Sequence, residues 1–285
     1  MMRAFAAMLR IFRDALGHFN NDDGWALASH VALSVLMAVF PFLIFATSLA
    51  SFLGADTFAD TAVHLIFDTW PDRIAEPIAS EVMNVLTVQR HGLLTVSVIA
   101  TAYFASNGIE ALRIALNRAY RVTEDRSIVF TRLQSLGFVL LATVGFVAIS
   151  VLLVLAPLAV KIAAKWAPWI ENFVGTISFW RYLVASAVLV FGLFAAHKWL
   201  PAGRRGFLSL VPGIAITLVC WLIAASLFAA YLETFATYVS TYAGLASIMI
   251  AIVFLYMTST IFIIGAEFNA AIIRYRIARS AVRRG

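Results

Sequence analysis

The chain has 285 residues, of which 62% are hydrophobic and 13% are charged, and its formal net charge is +6. Soluble domains carry about 25% charged and about 45–50% apolar residues, so this composition excludes a water-soluble globular protein. The basic excess does not indicate a nucleic-acid-binding protein, because the arginines follow membrane topology. Nucleic acid is therefore not an expected partner.

Apolar runs along the chain predict an all-α, polytopic membrane helix bundle. About 20 apolar residues cross a hydrocarbon core of about 30 Å as a helix. Six segments reach this length once the second is extended into the polar residues that follow it. In chain order, the six predicted transmembrane helices are 31–53, 93–116, 136–160, 182–200, 207–232 and 244–273. We also expect amphipathic helices in the long loop between the first two spans.

The positive-inside rule orients these spans. With the N-terminus in the cytoplasm, sixteen of the 21 Lys and Arg residues lie on the cytoplasmic side and five lie outside. An odd number of spans would place a basic cluster outside. We therefore expect a multi-pass protein of the bacterial cytoplasmic (inner) membrane with both termini in the cytoplasm.

The whole chain, 1–285, is predicted to form a single membrane domain. Its parts outside the bilayer are a cytoplasmic N-terminal segment, an extracytoplasmic amphipathic helical loop, a basic cytoplasmic helical segment and a basic cytoplasmic tail. These four segments cover residues 1–24, 55–92, 107–132 and 274–285 respectively.

The extracytoplasmic loop carries an acidic stripe. Asp60, His64 and Asp68 recur every four residues, which places them on one side of a helix. Carboxylates and imidazole bind divalent cations, so these three residues are weak candidates for a metal site. A solvated helix face explains the same pattern and is favoured, and the sequence predicts neither a bound metal nor a cofactor.

Polar residues near the cytoplasmic ends of the spans form a candidate substrate site. Glu267 lies close to Asn269 in the sixth span, and an acid inside a membrane helix is costly and suggests a function. Arg113 is its expected ion-pair partner. The other members of this hypothetical site, all on the same side, are His30, Asn107, Asn117 and Arg126. A structural ion pair that joins the sixth span to the second explains Glu267 equally well.

Three residues are predicted to break the membrane helices: Pro41, Gly108 and Pro212. Proline removes a backbone donor, and Gly108 follows the short apolar part of the second span. Interrupted membrane helices line the binding cavities of transporters. This feature favours transport.

Three stretches of the chain carry a family pattern. The first is 28–54, around Ser34, Phe40 and Pro41, and the second is 106–126, with Asn117, Tyr120 and Arg126. The third is 238–271, with Gly265-Ala266-Glu267-Phe268-Asn269. Together they resemble the YihY/BrkB family of bacterial inner-membrane proteins, also grouped as UPF0761. The resemblance implies six membrane spans.

Members of that family carry the names ribonuclease BN and serum-resistance factor, so the resemblance also raises a nuclease hypothesis. A metal-dependent nuclease needs clustered Asp, Glu or His to hold its metal and activate water. The cytoplasmic side of this sequence has no paired-acid or His-rich motif. We therefore disfavour a ribonuclease and do not expect an enzyme.

These observations favour a transporter or flippase-like protein for an amphipathic or anionic substrate, such as a lipid or an envelope precursor. The alternative is a non-enzymatic membrane scaffold of envelope machinery, and a membrane-associated hydrolase comes third. The expected partners are membrane lipids, including anionic headgroups. A second copy of the chain or an envelope protein is the other partner that we considered.

Overall fold

The computed structural model describes residues 2–52, 93–234 and 243–282, and these residues form helices without a β-strand. The α-helices are α1 (Met2–Asn21), α2 (Gly24–Phe52), α3 (Leu93–Tyr120), α4 (Ile128–Ser150), α5 (Ala156–Trp166), α6 (Val174–Trp199), α7 (Phe207–Thr234) and α8 (Ala243–Val282). A π-helix at Val151–Leu155 joins α4 to α5, and a 3-10 helix at Pro168–Phe173 precedes α6. The predicted all-α membrane bundle is confirmed.

Four described helices are long and apolar enough to cross a membrane. Their apolar stretches are Ile128–Leu153, Val174–Trp199, Phe207–Leu232 and Ile248–Ala281, and a shorter apolar helix covers Gly24–Val39. Leu140, Val144 and Phe146 of α4 are largely exposed, as expected for a helix whose neighbours are lipid chains. These helices match the last four predicted spans and part of the first. The count of six spans stays a prediction.

Helices α2, α3 and α7 run through Pro41, Gly108 and Pro212 without interruption, so none of these residues ends a helix, and their role as kinks beside a cavity stays a prediction. Ending a helix inside a bilayer would leave several backbone groups without partners, whereas one proline removes a single donor. Gly108 is buried in α3, close to the Ser34 carbonyl. The second predicted span is thus a continuous helix, as its extension beyond residue 105 required.

The chain separates into two compact units, and the single predicted domain stays a prediction. One unit comprises Met1–Leu33 with Ile109–Gly285, and the other comprises Ser34–Gly108. The core of the first unit is formed by side chains from six helices, and its large members include Phe19, Val31, Leu116, Leu193, Leu210, Ile214 and Ile263. In the second unit the described residues belong to the later part of α2 and the first part of α3. The predicted outer-loop helices of 55–92, with Asp60, His64 and Asp68, lie outside the described residues.

Helix α1 was not predicted. Its residue Ala15 packs against Phe268 and Ala271 of α8, and its Phe19 belongs to the main core. The opposite side exposes a row of apolar side chains: Met8, Leu9, Phe12 and Leu16. The predicted N-terminal segment 1–24 is therefore mostly an amphipathic helix that is attached to the bundle through one of its faces.

Two glycines allow α7 and α8 to approach closely. A β-carbon on Gly213 would overlap the Gly265 carbonyl oxygen and the Asn269 side chain, and one on Gly265 would overlap the Thr217 hydroxyl. Membrane helices without a hydrophobic driving force between them depend on such small residues for tight packing. Gly265, part of the family pattern, is explained by this contact.

We expect Gly213→Ala to destabilise the protein, because overpacking a tight contact costs about 1–3 kcal/mol. The midpoint of thermal unfolding in detergent should fall by several degrees. Gly192→Ala is the matched control, because nothing lies within 4 Å of a β-carbon built at Gly192 in α6. Its midpoint should stay unchanged or rise slightly, since alanine is the better helix former. Equal effects of the two substitutions would contradict the proposed close approach.

Candidate functional site

The Glu124 carboxylate lies at the centre of a set of donors that we call the Glu124 clamp: Arg113, Asn117 and Arg126. Arg126 donates from Nε and Nη2 at 2.6 and 2.7 Å, and Arg113 Nη1 donates at 2.6 Å. Asn117 Nδ2 adds a fourth bond at 2.9 Å. Hydrogen bonds from the Arg126 guanidinium, and then from Asn117 and Arg113, lower the pKa of Glu124 from 4.5 to about 2. The clamp is therefore a carboxylate that is held ionised between two arginines.

The clamp also holds the end of α6. Arg126 Nη2 donates to the Leu200 carbonyl at 2.9 Å, and the Asn117 Oδ1 accepts from the Ala202 N–H at 2.8 Å. Gln134, which accepts from Arg126 Nη1 at 3.0 Å, donates to the Trp199 carbonyl at 2.7 Å. These contacts satisfy backbone groups that a helix end leaves open. The residues Asn117 and Arg126, predicted to bind substrate, thus join α3, α4 and α6.

A second set of polar groups, the interhelical chain, runs through the bundle: Gly213, Asn269, Tyr120 and His197. The Gly213 N–H donates to Asn269 Oδ1 at 2.7 Å, and Asn269 Nδ2 donates to the Tyr120 hydroxyl at 3.3 Å. That hydroxyl lies 2.8 Å from His197 Nδ1. The hydroxyl oxygen accepts from Asn269 and is also hydrogen-bonded to His197. The interhelical chain joins α7, α8, α3 and α6, and Asn269 and His197 are fully buried in it.

Helix α3 ends in a Schellman motif. The Val122 N–H donates to the Asn117 carbonyl and the Arg121 N–H to the Arg118 carbonyl, both at 2.9 Å. The position after the helix end, which usually carries glycine, is occupied by Arg121 with φ of 58°. This left-handed conformation costs an L-residue about 1–2 kcal/mol. Strain of this kind is common at functional sites. The left-handed conformation of Arg121 turns the chain sharply after α3.

Glu267 pairs with Arg121 and not with Arg113. The carboxylate is 1% exposed, and its Oε2 lies 3.8 Å from Arg121 Nη2, which is also 3.3 Å from Asp14 Oδ2. Within the described residues, Glu267 Oε2 and Arg121 Nε and Nη1 are buried without hydrogen-bond partners. Asp14, Arg121 and Glu267 form what we call the Arg121 site. It is a buried ion pair with open hydrogen-bonding positions on both partners.

The expectation that Arg113 pairs with Glu267 is wrong for a geometric reason. Arg113 lies two turns before the end of α3, where Glu110 and Glu124 neutralise it. Arg121 lies beyond that end, after the sharp turn. The sequence alone gives both arginines the same side of the membrane but does not give this change of direction.

The remaining predicted site residues are not ion-pair partners of Arg121 or Glu267 among the described residues. His30 is exposed on α2, and Asn107 is half-buried on α3 in the smaller unit. Asn269 lies two residues after Glu267 on α8 and is hydrogen-bonded to Gly213 and Tyr120. Among the described residues, no group of three His, Cys, Asp or Glu side chains could hold a metal ion.

Sequence patterns did not reveal Asp14, Arg121 and His197 as site residues. Arg121 directly follows the apolar helix α3, and His197 lies in the last turn of α6. A polar residue at the end of a membrane helix can indicate a functional site. His197 was missed because it directly precedes Lys198 and so resembles part of the basic segment that orients the span in the membrane. Asp14 was hidden because the helix that carries it was not predicted.

The sequence comparison decides the family. The profile described as "Virulence factor BrkB" matches residues 15–284. The chain belongs to the BrkB family. The predicted resemblance is thus confirmed, and both the interhelical chain and the Arg121 site lie almost wholly within the part of the chain that matches the BrkB profile.

Two relatives align over most of the chain. Ribonuclease-like protein YfkH of Bacillus subtilis (strain 168) is 27% identical over 262 residues, which cover 92% of this chain and 94% of YfkH. A UPF0761 membrane protein of Rhodospirillum centenum is 27% identical over 278 residues, which cover 94% of this chain and 59% of that protein. No solved structure matches the chain.

The clamp predicts a defined pH dependence of stability. Because folding lowers the pKa of Glu124 from 4.5 to about 2, its contribution is present above pH 4.5 and is lost as the pH falls toward 2. We expect Glu124→Gln to lower the thermal unfolding midpoint at pH 7 by a few degrees. The difference from the wild type should shrink as the pH falls from 4.5 toward 2.

Asp125→Asn is the matched control for this measurement, because it removes one negative charge from the exposed neighbouring residue. Its midpoint should follow that of the wild type at every pH. A Glu124→Gln difference that stays constant between pH 7 and pH 2 would show that the charge of Glu124 does not stabilise the clamp.

Proposed function

We propose that this BrkB family protein is a transporter or flippase-like protein that moves an amphipathic, anionic substrate, such as a lipid or an envelope precursor. The proposed function does not include an enzymatic reaction. The observation that carries it is the incomplete ion pair of the Arg121 site, in which buried donor and acceptor atoms are left without hydrogen bonds among the described residues. A purely structural salt bridge is stable in a bundle only when its hydrogen bonds are satisfied.

An anionic group of the substrate fits the open positions of Arg121. Nε and Nη1 both carry N–H groups that no described residue accepts. Arginine binds phosphate and carboxylate groups through several such donors at once. Both atoms are closed to solvent, so the substrate reaches them only when the surrounding helices separate. The described conformation is therefore an occluded state in this proposal.

Two acids compete with the substrate for Arg121. Asp14 and Glu267 both face Nη2, at 3.3 and 3.8 Å, and a second anion beside them would repel both. Substrate binding would therefore weaken the contact between Arg121 and Asp14, which lies on α1. A ligand shifts a conformational equilibrium only through different affinities for the two states, and this competition supplies such a difference.

The Glu124 clamp is not the substrate-binding site in this proposal. Arg113 and Arg126 are bound by Glu110 and Glu124 and by the backbone of the α6 end. A substrate anion would have to displace a carboxylate that already accepts four side-chain hydrogen bonds. We therefore assign the clamp a structural role and reserve substrate binding for Arg121.

The same proposal places the protein in the bacterial cytoplasmic membrane with both termini in the cytoplasm. It is supported by the sixteen of 21 Lys and Arg residues that this orientation puts inside. The Arg121 site then lies close to the cytoplasmic surface. The expected partners are lipids with anionic headgroups.

Transport can be measured with protein reconstituted into liposomes that contain a fluorescent phosphatidylglycerol. Dithionite added outside quenches only the outer-leaflet label, so flipping appears as loss of the protected fraction. We expect the wild type to exceed protein-free liposomes, Arg121→Gln to fall to their level and Glu267→Gln to change the rate at least several-fold. Asp125→Asn, which lies outside the site, should match the wild type.

Two results would overturn the proposal. Wild-type flipping at the protein-free level would favour the scaffold alternative. Flipping by a folded, monodisperse Arg121→Gln protein at the wild-type rate would show that Arg121 does not bind the transported group.

A further inference from the structure

A cavity of about 320 Å³ lies between α5 and the beginning of α6. Two helical faces form it: positions 157, 160, 161 and 164 of α5 face positions 174, 177, 178 and 181 of α6. The spacing of three and four residues on each helix makes these continuous faces. The cavity is therefore built from regular helix surfaces.

The lining combines two cations with an apolar wall. Lys161 comes from α5 and Arg181 from α6, with the Ser178 hydroxyl one turn from Arg181. The apolar part of the wall includes Pro157, Val160, Val174 and Ile177. None of the described lining residues is acidic. The cavity thus offers two positive charges and a hydroxyl beside a surface that suits a hydrocarbon chain.

Arg181 lines the cavity and also has a buried N–H group without a partner in the described part of the chain. Its Nε is buried and has no hydrogen-bond partner among the described residues. The guanidinium carbon lies 4.6 Å from the centre of the Tyr182 ring, which fixes the group without using its N–H donors. A buried donor without a partner is uncommon in a folded protein, and two cations with no acid among the described lining residues suit an anion.

The surrounding aromatic residues place the cavity at the depth of lipid headgroups. Trp166, Trp169 and Trp180, which lie close to the lining residues along the chain, are strongly exposed, and tryptophan is enriched where the hydrocarbon core meets the headgroups. Helix α6 has 26 residues and is about 39 Å long, with the cavity at its beginning and the Glu124 clamp at its end. The two features therefore lie at opposite faces of the membrane.

We propose that this cavity binds the phosphate headgroup of an anionic phospholipid in the leaflet opposite the Arg121 site. Lys161 and Arg181 bind the phosphate, Ser178 donates to it, and the apolar wall holds the start of an acyl chain. The site does not depend on transport, because it needs only a lipid that is already present in that leaflet.

Native mass spectrometry of the full-length protein tests this site directly. Dioleoyl phosphatidylglycerol is titrated against the wild type and a Lys161→Gln/Arg181→Gln variant, with dioleoyl phosphatidylcholine as the zwitterionic comparison. We expect a saturable phosphatidylglycerol adduct that weakens about tenfold or more in the variant. The phosphatidylcholine adduct should be weak in both proteins.

Arg274→Gln/Arg276→Gln is the matched control, since it removes two positive charges from the end of α8, far from the cavity along the chain. It should bind phosphatidylglycerol as the wild type does. If the first variant does not fold, Ala164→Phe keeps both charges and fills the cavity, and it should weaken the adduct similarly.

Equal phosphatidylglycerol binding by the wild type and by either cavity variant would overturn the proposal. Inorganic phosphate, added alone, distinguishes a lipid from a free anion. Phosphate that displaces no lipid supports the lipid site, whereas phosphate that binds tightly and prevents lipid binding would overturn the lipid assignment.

Discussion

The side-chain amide of Asn269 is the contact on which the arrangement of the bundle depends. Its oxygen accepts the Gly213 N–H and its nitrogen donates to Tyr120, which is possible only because α7 and α8 meet at two glycines. An amide buried in an apolar environment is costly unless both of its ends are satisfied. Asn269 therefore favours one relative position of α3, α7 and α8.

The Arg121 site is a consequence of this contact. Tyr120 and Arg121 are consecutive residues, and Glu267 precedes Asn269 by two positions on α8. Once Asn269 holds Tyr120, the sharp turn after α3 places Arg121 beside Glu267. The bundle thus brings together one satisfied polar contact and one incomplete ion pair, side by side. The first stabilises the fold, whereas the second serves the proposed function at the expense of stability.

Much of the fold could be predicted because the hydropathy and charge of each residue can be read directly along the sequence. The apolar run 207–232 coincides with the observed apolar stretch of α7, and Glu267 and Asn269 were identified from their polarity within an apolar helix. Asn117 and Arg126 were also identified for a substrate role, which stays a prediction, and the structure shows that they bind Glu124 and the end of α6. Polarity indicated that these residues matter, and only their partners distinguish the two roles.

The pairings at the Arg121 site and in the α5–α6 cavity could not be predicted, because they depend on three-dimensional packing that the local sequence does not indicate. The left-handed turn at Arg121 decides which arginine reaches Glu267, and arginine is an unusual residue for that position. Helix α1 brings Asp14 to the site through packing on α8. Lys161 and Arg181 are two of the five basic residues that the sequence places on the extracytoplasmic side of the membrane. Only the pairing of α5 with α6 places them in one cavity.

The central claim, that Asn269 stabilises the bundle while Glu267 does not, is tested most directly by thermal unfolding of two variants in the same detergent. Asn269→Leu leaves the Gly213 N–H without its partner and removes one of the two hydrogen bonds of the Tyr120 hydroxyl, so its unfolding midpoint should fall by several degrees. Glu267→Gln replaces a buried carboxyl group whose hydrogen bonding is incomplete, so its midpoint should stay unchanged or rise. A large fall for Glu267→Gln together with an unchanged midpoint for Asn269→Leu would contradict the claim.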